Sequence, residues 1–128
     1  MEINIPDVVA EMTAVFARYE AALVGNDVAT LNELFWPSSH TIRYGIAENL
    51  YGHTEIAAFR QARSSIGLAR TLHRTVITTF GRDFATASTL FERASAAGKI
   101  GRQMQSWVRM AEGWRIVAAH VSLIDAAA

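Results

Sequence analysis

An α+β domain, with three helices lying on one face of a long antiparallel sheet, is the fold class this sequence predicts. Three observations predict it. Apolar residues recur at helical spacing in the first third of the chain, they alternate after Leu68, and compact glycine-containing turns separate the alternating runs. Consecutive strands joined by short turns pair antiparallel, and helices preceding such a meander settle on one of its faces. With 128 residues and 51% hydrophobic side chains, residues 1–128 are expected to form one domain with a genuine core.

The elements follow in order. Pro6 and Asp7 suit the first turn of a helix whose apolar stripe is Val9, Met12, Phe16, Tyr19 and Leu23. Gly25-Asn26 ends it, and Asp27 is placed to cap a second helix carrying Leu31, Leu34 and Phe35, which Pro37 stops. A short strand is expected at His40–Tyr44, then a second extended piece around Leu50, between Gly45 and Gly52. Thr54 opens a third helix through Arg63, closed by Ser64-Ser65 and Gly67. Four long strands follow, Leu68–Phe80, Phe84–Ala94, Ile100–Met110 and Trp114–Leu123, rich in Val, Ile, Thr, Phe and Trp. Gly81-Arg82-Asp83 and Ala111-Glu112-Gly113 are hairpin turns, and Ala97-Gly98-Lys99 is a looser one.

Composition removes several function classes. Twelve basic and twelve acidic residues cancel, whereas a nucleic-acid binder normally carries a basic excess. There is no cysteine for disulfides, thiolate nucleophiles or metal ligation. MEINIPDVV lacks the basic and apolar regions of a signal peptide, and no apolar run reaches membrane-spanning length, so a cytoplasmic protein without a membrane partner is expected. His40, His53, His73 and His120 are widely separated without metal-ligand spacing. No phosphate loop, dinucleotide fingerprint or nucleophile elbow is present, so neither metal nor organic cofactor is expected. No acid stands out as an isomerase base: Asp83 sits in a turn and Asp125 lies past the last strand.

What remains is a set of arginines where apolar side chains belong. Arg43 lies mid-strand in HTIRYG, and faces the interior if Thr41 does. Arg60 and Arg63 follow Ile56 and Phe59 at helical spacing on one side of the third helix. A buried guanidinium is costly without an anion or acceptor, and its planar fork suits a carboxylate. A pocket for a small anion is the simplest reason for several of them. Of the two helical arginines, Arg63 is nearer the helix end and the better candidate for a surface role. Tyr19, on the apolar stripe of the first helix, reads either as a core tyrosine or as a proton donor, and arginines nearby favour the second. His120 and Ser122 share a strand face with Trp114, Ile116 and Ala118, and reach the pocket if that face lines it. Gln105 is a further candidate ligand contact, and Trp36, Asn49 and Tyr51 candidate rim residues.

This order of elements resembles the nuclear-transport-factor-2-like (SnoaL-like) superfamily, in which a bent sheet wraps its helices into a cone with one deep pocket. At closer range ELFW, TIRYGIAENLYG, AFRQAR, TVITTFGRD, IGRQMQSWV and GWRIVAAHVSL resemble the AtzH-like proteins of cyanuric-acid catabolism and the HpxZ-like proteins of oxalurate catabolism. The resemblance runs from Asn4 to Leu123, and the blocks R-Y-G-x-x-E-N, F-R-x-x-R and A-A-H-V-S are specific in combination. It implies a decarboxylating amidohydrolase converting 1,3-dicarboxyurea to allophanate, with Tyr19 and Arg43 as the key pair. Arg60, Arg63, Asn49, His120, Ser122, Trp36 and Gln105 are then expected as further contacts. It also implies a homodimer formed through the outer sheet face and an amidase as pathway partner. The alternative is a non-catalytic binding or accessory protein for oxalurate-like ureide anions, and the arginines suit both. A bare dimerisation module has no need of them.

Overall fold

The computed structural model describes residues 1–127. Helices α1 (Pro6–Val24) and α2 (Val28–Leu34) precede two short strands, β1 (Ile42–Tyr44) and β2 (Asn49–Tyr51), and helix α3 (His53–Ala62). Strands β3 (Thr71–Phe80), β4 (Phe84–Glu92), β5 (Lys99–Met110) and β6 (Gly113–Asp125) follow, with a 3-10 turn at Ala94–Ala96. The six strands form a sheet in the order β2-β1-β6-β5-β4-β3.

Local chemistry sets the helix ends. Pro6 occupies the first turn of α1, and Asn26 turns the chain out of it at φ 51°. Asp27 caps α2 by accepting the Thr30 backbone N–H at 3.1 Å. Helix α3 begins at His53, one residue before Thr54, because Gly52 supplies the turn at φ 85° that a side chain resists. The buried face of α1 is Val8, Met12, Phe16, Tyr19, Ala22 and Leu23. Val8, not Val9, heads the stripe, since four-residue steps put it in line with Met12 and Phe16.

Ala85 and Ala87 of β4 are fully buried and belong to the same core as α1, where small side chains let helix and sheet approach. Trp107, Trp114 and Ile116 fill the core beside them. Each such large side chain stabilises the fold by about 1.5–3 kcal/mol relative to exposure. The N-terminal segment covers the β3 edge: Ile3 bridges Phe80, and Asn4 exchanges hydrogen bonds with the Thr79 backbone at 3.0 and 2.9 Å. Among the described residues no helix is long and apolar enough to cross a membrane.

The four long strands form the expected antiparallel meander, but two features correct the expected all-antiparallel, regular sheet. The sheet is mixed, because β1 pairs parallel with β6, Ile42 opposite Ala118 and Tyr44 opposite His120. A three-residue strand whose partner comes at the far end of the chain carries no local sign of its direction. The second feature is a pair of bulges. Register slips between His73 and Val76, with Arg74 at φ 53°, and again on β6, where Ser106 faces Ala118 but Trp107 faces Ile116. Val117 is therefore an extra residue. Such an insertion bends the strand and exchanges its inner and outer faces from that point on.

Candidate functional site

A cavity of about 240 Å³ lies among α1, the end of α3, the β1–β2 turn and the ends of β4, β5 and β6. Arg43, Arg63, Arg70 and Arg93 line it together with Tyr19 and Gln103, and the walls between them are Leu23, Phe59, Leu68, Phe91 and Val121. Its volume falls below the ~300–1,000 Å³ of sites for drug-sized ligands, a size that suits a small metabolite.

Each polar group is fixed by its neighbours. Arg43 is 8% exposed on β1, and its Nη1 donates to Glu48 Oε1 at 2.8 Å. The Ala47 backbone N–H holds the other Glu48 oxygen at 3.1 Å. A Cβ on residue 45 would stand 1.8 Å from Glu48 Oε1 and 2.9 Å from Arg43 Nη1, so glycine is what lets this ion pair lie across the turn. Arg70, just before β3, donates to both Glu20 oxygens at 2.8 and 2.7 Å, and to Gln103 Oε1 at 3.0 Å. Arg43 and Arg63 lie against the Phe59 ring at 5.3 and 6.0 Å, Arg70 and Arg93 against Phe91 at 4.5 and 5.9 Å. Phe91 in turn rests on Gly101, where an added Cβ would stand 2.1 Å from the ring.

Arg60 sits behind the cavity, 1% exposed, its guanidinium 4.7 Å from the Phe35 ring centre. None of its three nitrogens meets an acceptor in hydrogen-bonding geometry. Burial pulls its pKa from the ordinary guanidinium range down to about 10; Tyr19 opposes the shift, while Arg43 and Arg63 add to it. Arg63 is lowered too, first by burial and then by Arg43. Cations that depress one another inside a half-desolvated cavity are relieved when an anion joins them. Tyr19 is 3% exposed, its ring held by Trp107 edge-on at 6.3 Å and by Phe16 and Phe35 at 6.3 and 6.4 Å. Four guanidiniums thus line the cavity with one carboxylate, Glu48, while Arg60 lies behind the wall and Glu20 pairs with Arg70. The cavity carries a positive excess in a chain of zero formal charge.

The depressed Arg60 has a stability consequence. Its folded pKa lies below the unfolded value, so the unfolded chain holds the proton more tightly from about 10 up to the ordinary guanidinium range. Stability from this group rises with pH through that window, and at neutral pH the buried charge costs about 3 kcal/mol. Arg60→Met is accordingly expected to leave the melting temperature of the ligand-free protein unchanged or raised, while weakening anion binding. Thermal melts with and without a dicarboxylate read both effects, and a marked loss of ligand-free stability would contradict the account.

The structure brings Tyr19, Arg43 and Arg63 to one cavity, with Arg60 against them. The expected surface role of Arg63 is corrected: it lines the cavity from the extended C-cap position that ends α3, while Arg60, in the last turn of the helix, is deeply buried behind it. His120 and Ser122 are on the other side of the sheet: the Val117 bulge turns Ala119 and Val121 inward in their place. His120 packs edge-on to Tyr44 at 6.3 Å, and the Ser122 hydroxyl accepts from Arg102 Nε at 3.2 Å. Gln105 is buried, but its Oε1 receives the Trp107 indole N–H at 3.0 Å and it lines no part of the cavity. Trp36 stacks on His40 at 6.2 Å, and Asn49 and Tyr51 are exposed on β2; none of the three forms the rim.

Sequence reasoning missed Glu48, Arg70, Arg93 and Gln103. The spacing R-Y-G-x-x-E carried a signal for the first, since a turn of that length returns the acid to its arginine. Gln103 shares the alternation of Gln105 and Trp107, two glutamines on a core face. Arg70 and Arg93 fall near the ends of the predicted strands Leu68–Phe80 and Phe84–Ala94, just outside the observed β3 and β4, and gave no signal. Among the described residues no group of three His, Cys, Asp or Glu side chains gathers in a way that could hold a metal ion.

Comparison with known proteins gives the same fold. The model of the family described as AtzH-like matches residues 1–127. A protein of unknown function from Pectobacterium atrosepticum superposes with a TM-score of 0.93 at 63% identity, over 96% of this chain and 95% of that one. A cystatin-like fold protein from Burkholderia xenovorans gives 0.95 at 52% identity, over 99% of both. A putative ketosteroid isomerase from Parabacteroides distasonis, at 15% identity and TM-score 0.70 over 86% and 85%, shares the fold alone. No curated protein matches the chain significantly.

Proposed function

Because the chain belongs to the AtzH-like family, we propose that it is a decarboxylating amidohydrolase converting 1,3-dicarboxyurea to allophanate and carbon dioxide. The observation that carries this reading is Tyr19 on the wall of a small cavity whose other charged lining is Arg43, Arg63, Arg70, Arg93 and a single acid, Glu48. Dicarboxyurea is a dianion of matching size. In the reaction the bond between the carboxyl carbon and urea nitrogen breaks, with its electron pair passing to nitrogen. Carbon dioxide leaves, and nitrogen takes a proton.

Tyr19 supplies that proton and recovers one from solvent, a step in which a positioned acid is worth ~100- to 10,000-fold. Arg43, held by Glu48, grips the departing carboxylate and sets its plane. Arg60 and Arg63 offset the charge that passes to the phenol oxygen, which acts more strongly in a desolvated site than in water.

The test is carbon dioxide release from freshly generated 1,3-dicarboxyurea, with oxalurate and allophanate as comparison substrates. Acceleration of the first alone supports the proposal. Binding of any of the three without turnover would replace it with the carrier reading, in which the protein delivers a ureide anion to a partner amidase.

The assembly proposed with this function is a homodimer through the outer sheet face. Val76 and Met104 are each 55% exposed there and Tyr44 37%, beside a shallow depression lined by Arg74, Leu90 and His120. Exposed apolar side chains on an uncovered strand face suit a second copy of the same surface. Met104→Asp is expected to convert a dimer to a monomer in light scattering, with the cavity still able to bind anions. An unaltered mass would place the interface elsewhere.

A further inference from the structure

The two sides of the cavity are built alike, a likeness that no single residue reveals. On one side the Phe59 ring carries Arg43, tied to Glu48, and Arg63, whose Nε and Nη2 are buried without an acceptor. On the other the Phe91 ring carries Arg70, tied to Glu20, and Arg93, whose Nε is likewise buried without one. Each side therefore has one neutralised arginine and one uncompensated one, both spread on an aromatic plate. The second side has a further donor. Gln103 is 1% exposed, and its Oε1 is committed to Arg70, so the amide nitrogen is its free end. That nitrogen is buried with no partner at the cavity wall.

Buried donors left unpaired cost stability, and are kept where a ligand completes them. β1 and β4 are separated by β6 and β5, which is about 14 Å at the spacing of adjacent strands. Arginine side chains reaching inward from both sides reduce that span to the length of a small molecule. Arg93 is near enough for its charge to lower the pKa of Arg63 further.

We propose that Arg93, Gln103 and Arg70 on Phe91 form a second carboxylate seat opposite the one at Arg43 and Arg63, and that the pair of seats makes the site select dianions over monoanions. The proposal rests on the reading of the ligand as a dicarboxylated urea, and adds which residues read its far end. Tyr19 shares the cavity wall with Arg43 and Arg63 and lies within range of the Arg63 charge; in this assignment the first seat holds the carboxylate that leaves, and the second the one that stays with the product. One bound end then presents the other to the acid, and a monoanion such as allophanate is held by one seat and released.

The experiment uses glutarate, whose methylene chain replaces the urea N–C–N and which has no N-carboxy bond to break, against butyrate, which lacks the second carboxylate. Calorimetry should give wild-type affinity for glutarate roughly tenfold to a hundredfold above butyrate. In Arg93→Met/Gln103→Leu that ratio should fall towards one, and Arg93→Lys should recover part of it. If the double variant does not fold, Arg93→Met at its partly exposed position should still reduce the ratio. A wild-type ratio near one, or a ratio retained in the variants, overturns the proposal. The two readings fail separately. Collapse of the ratio without any carbon dioxide release keeps the seats and removes the decarboxylase. Release with an unchanged ratio keeps the enzyme and removes the second seat.

Discussion

Tyr19→Phe is expected to lower the rate of carbon dioxide release from 1,3-dicarboxyurea by ~100- to 10,000-fold, while glutarate affinity changes by less than about tenfold. The substitution is clean because the ring contacts survive. Phe16, Phe35 and Trp107 hold the aromatic plane at 6.3–6.4 Å, and none of those contacts involves the hydroxyl. What disappears is the group that opposes the desolvation of Arg60. The split between rate and affinity is therefore the diagnostic quantity. A loss confined to binding would make Tyr19 a ligand contact, and retention of full turnover would remove it from the chemistry.

Arg43→Met is expected to weaken binding of dicarboxyurea or glutarate by ~30- to 1,000-fold, because it takes away a cation and leaves Glu48 facing the anion unneutralised. The Arg43 side chain is 9% exposed and that of Glu48 23%. Orphaning the acid should also cost roughly 1–3 kcal/mol of stability. Adding Glu48→Gln separates the two effects. The double variant should recover the melting temperature, yet not the affinity. Recovery of affinity as well would mean that Arg43 serves only to neutralise Glu48 and never touches the ligand.

The readable parts of this molecule were those whose cause is local. The stripe on α1 and the Asp27 cap depend on residues within four positions of one another, and so do the turns at Gly81-Arg82-Asp83 and Ala111-Glu112-Gly113. Tyr19, Arg60 and Arg63 stood out for a related reason, each being a polar group on a helix face whose period required burial, and Arg43 stood out as a charge in mid-strand whose facing the alternation left open. Where an inference crossed an irregularity it failed. His120 and Ser122 were assigned to the face of Trp114 by counting in twos, and the count is valid only as far as Val117.

The sequence by itself determined the helices, the four long strands, the family and the arginines that had to be explained, because periodicity, capping and turn chemistry act over a few residues. Tertiary structure decided the parallel pairing of β1 with β6, the side of the sheet on which His120 lies, and the arrival of Arg70, Arg93 and Gln103 opposite Arg63. Those outcomes depend on register between strands distant in the chain. A single inserted residue exchanges the two faces of a strand, and a charge finds its partner only once the sheet has brought both ends together.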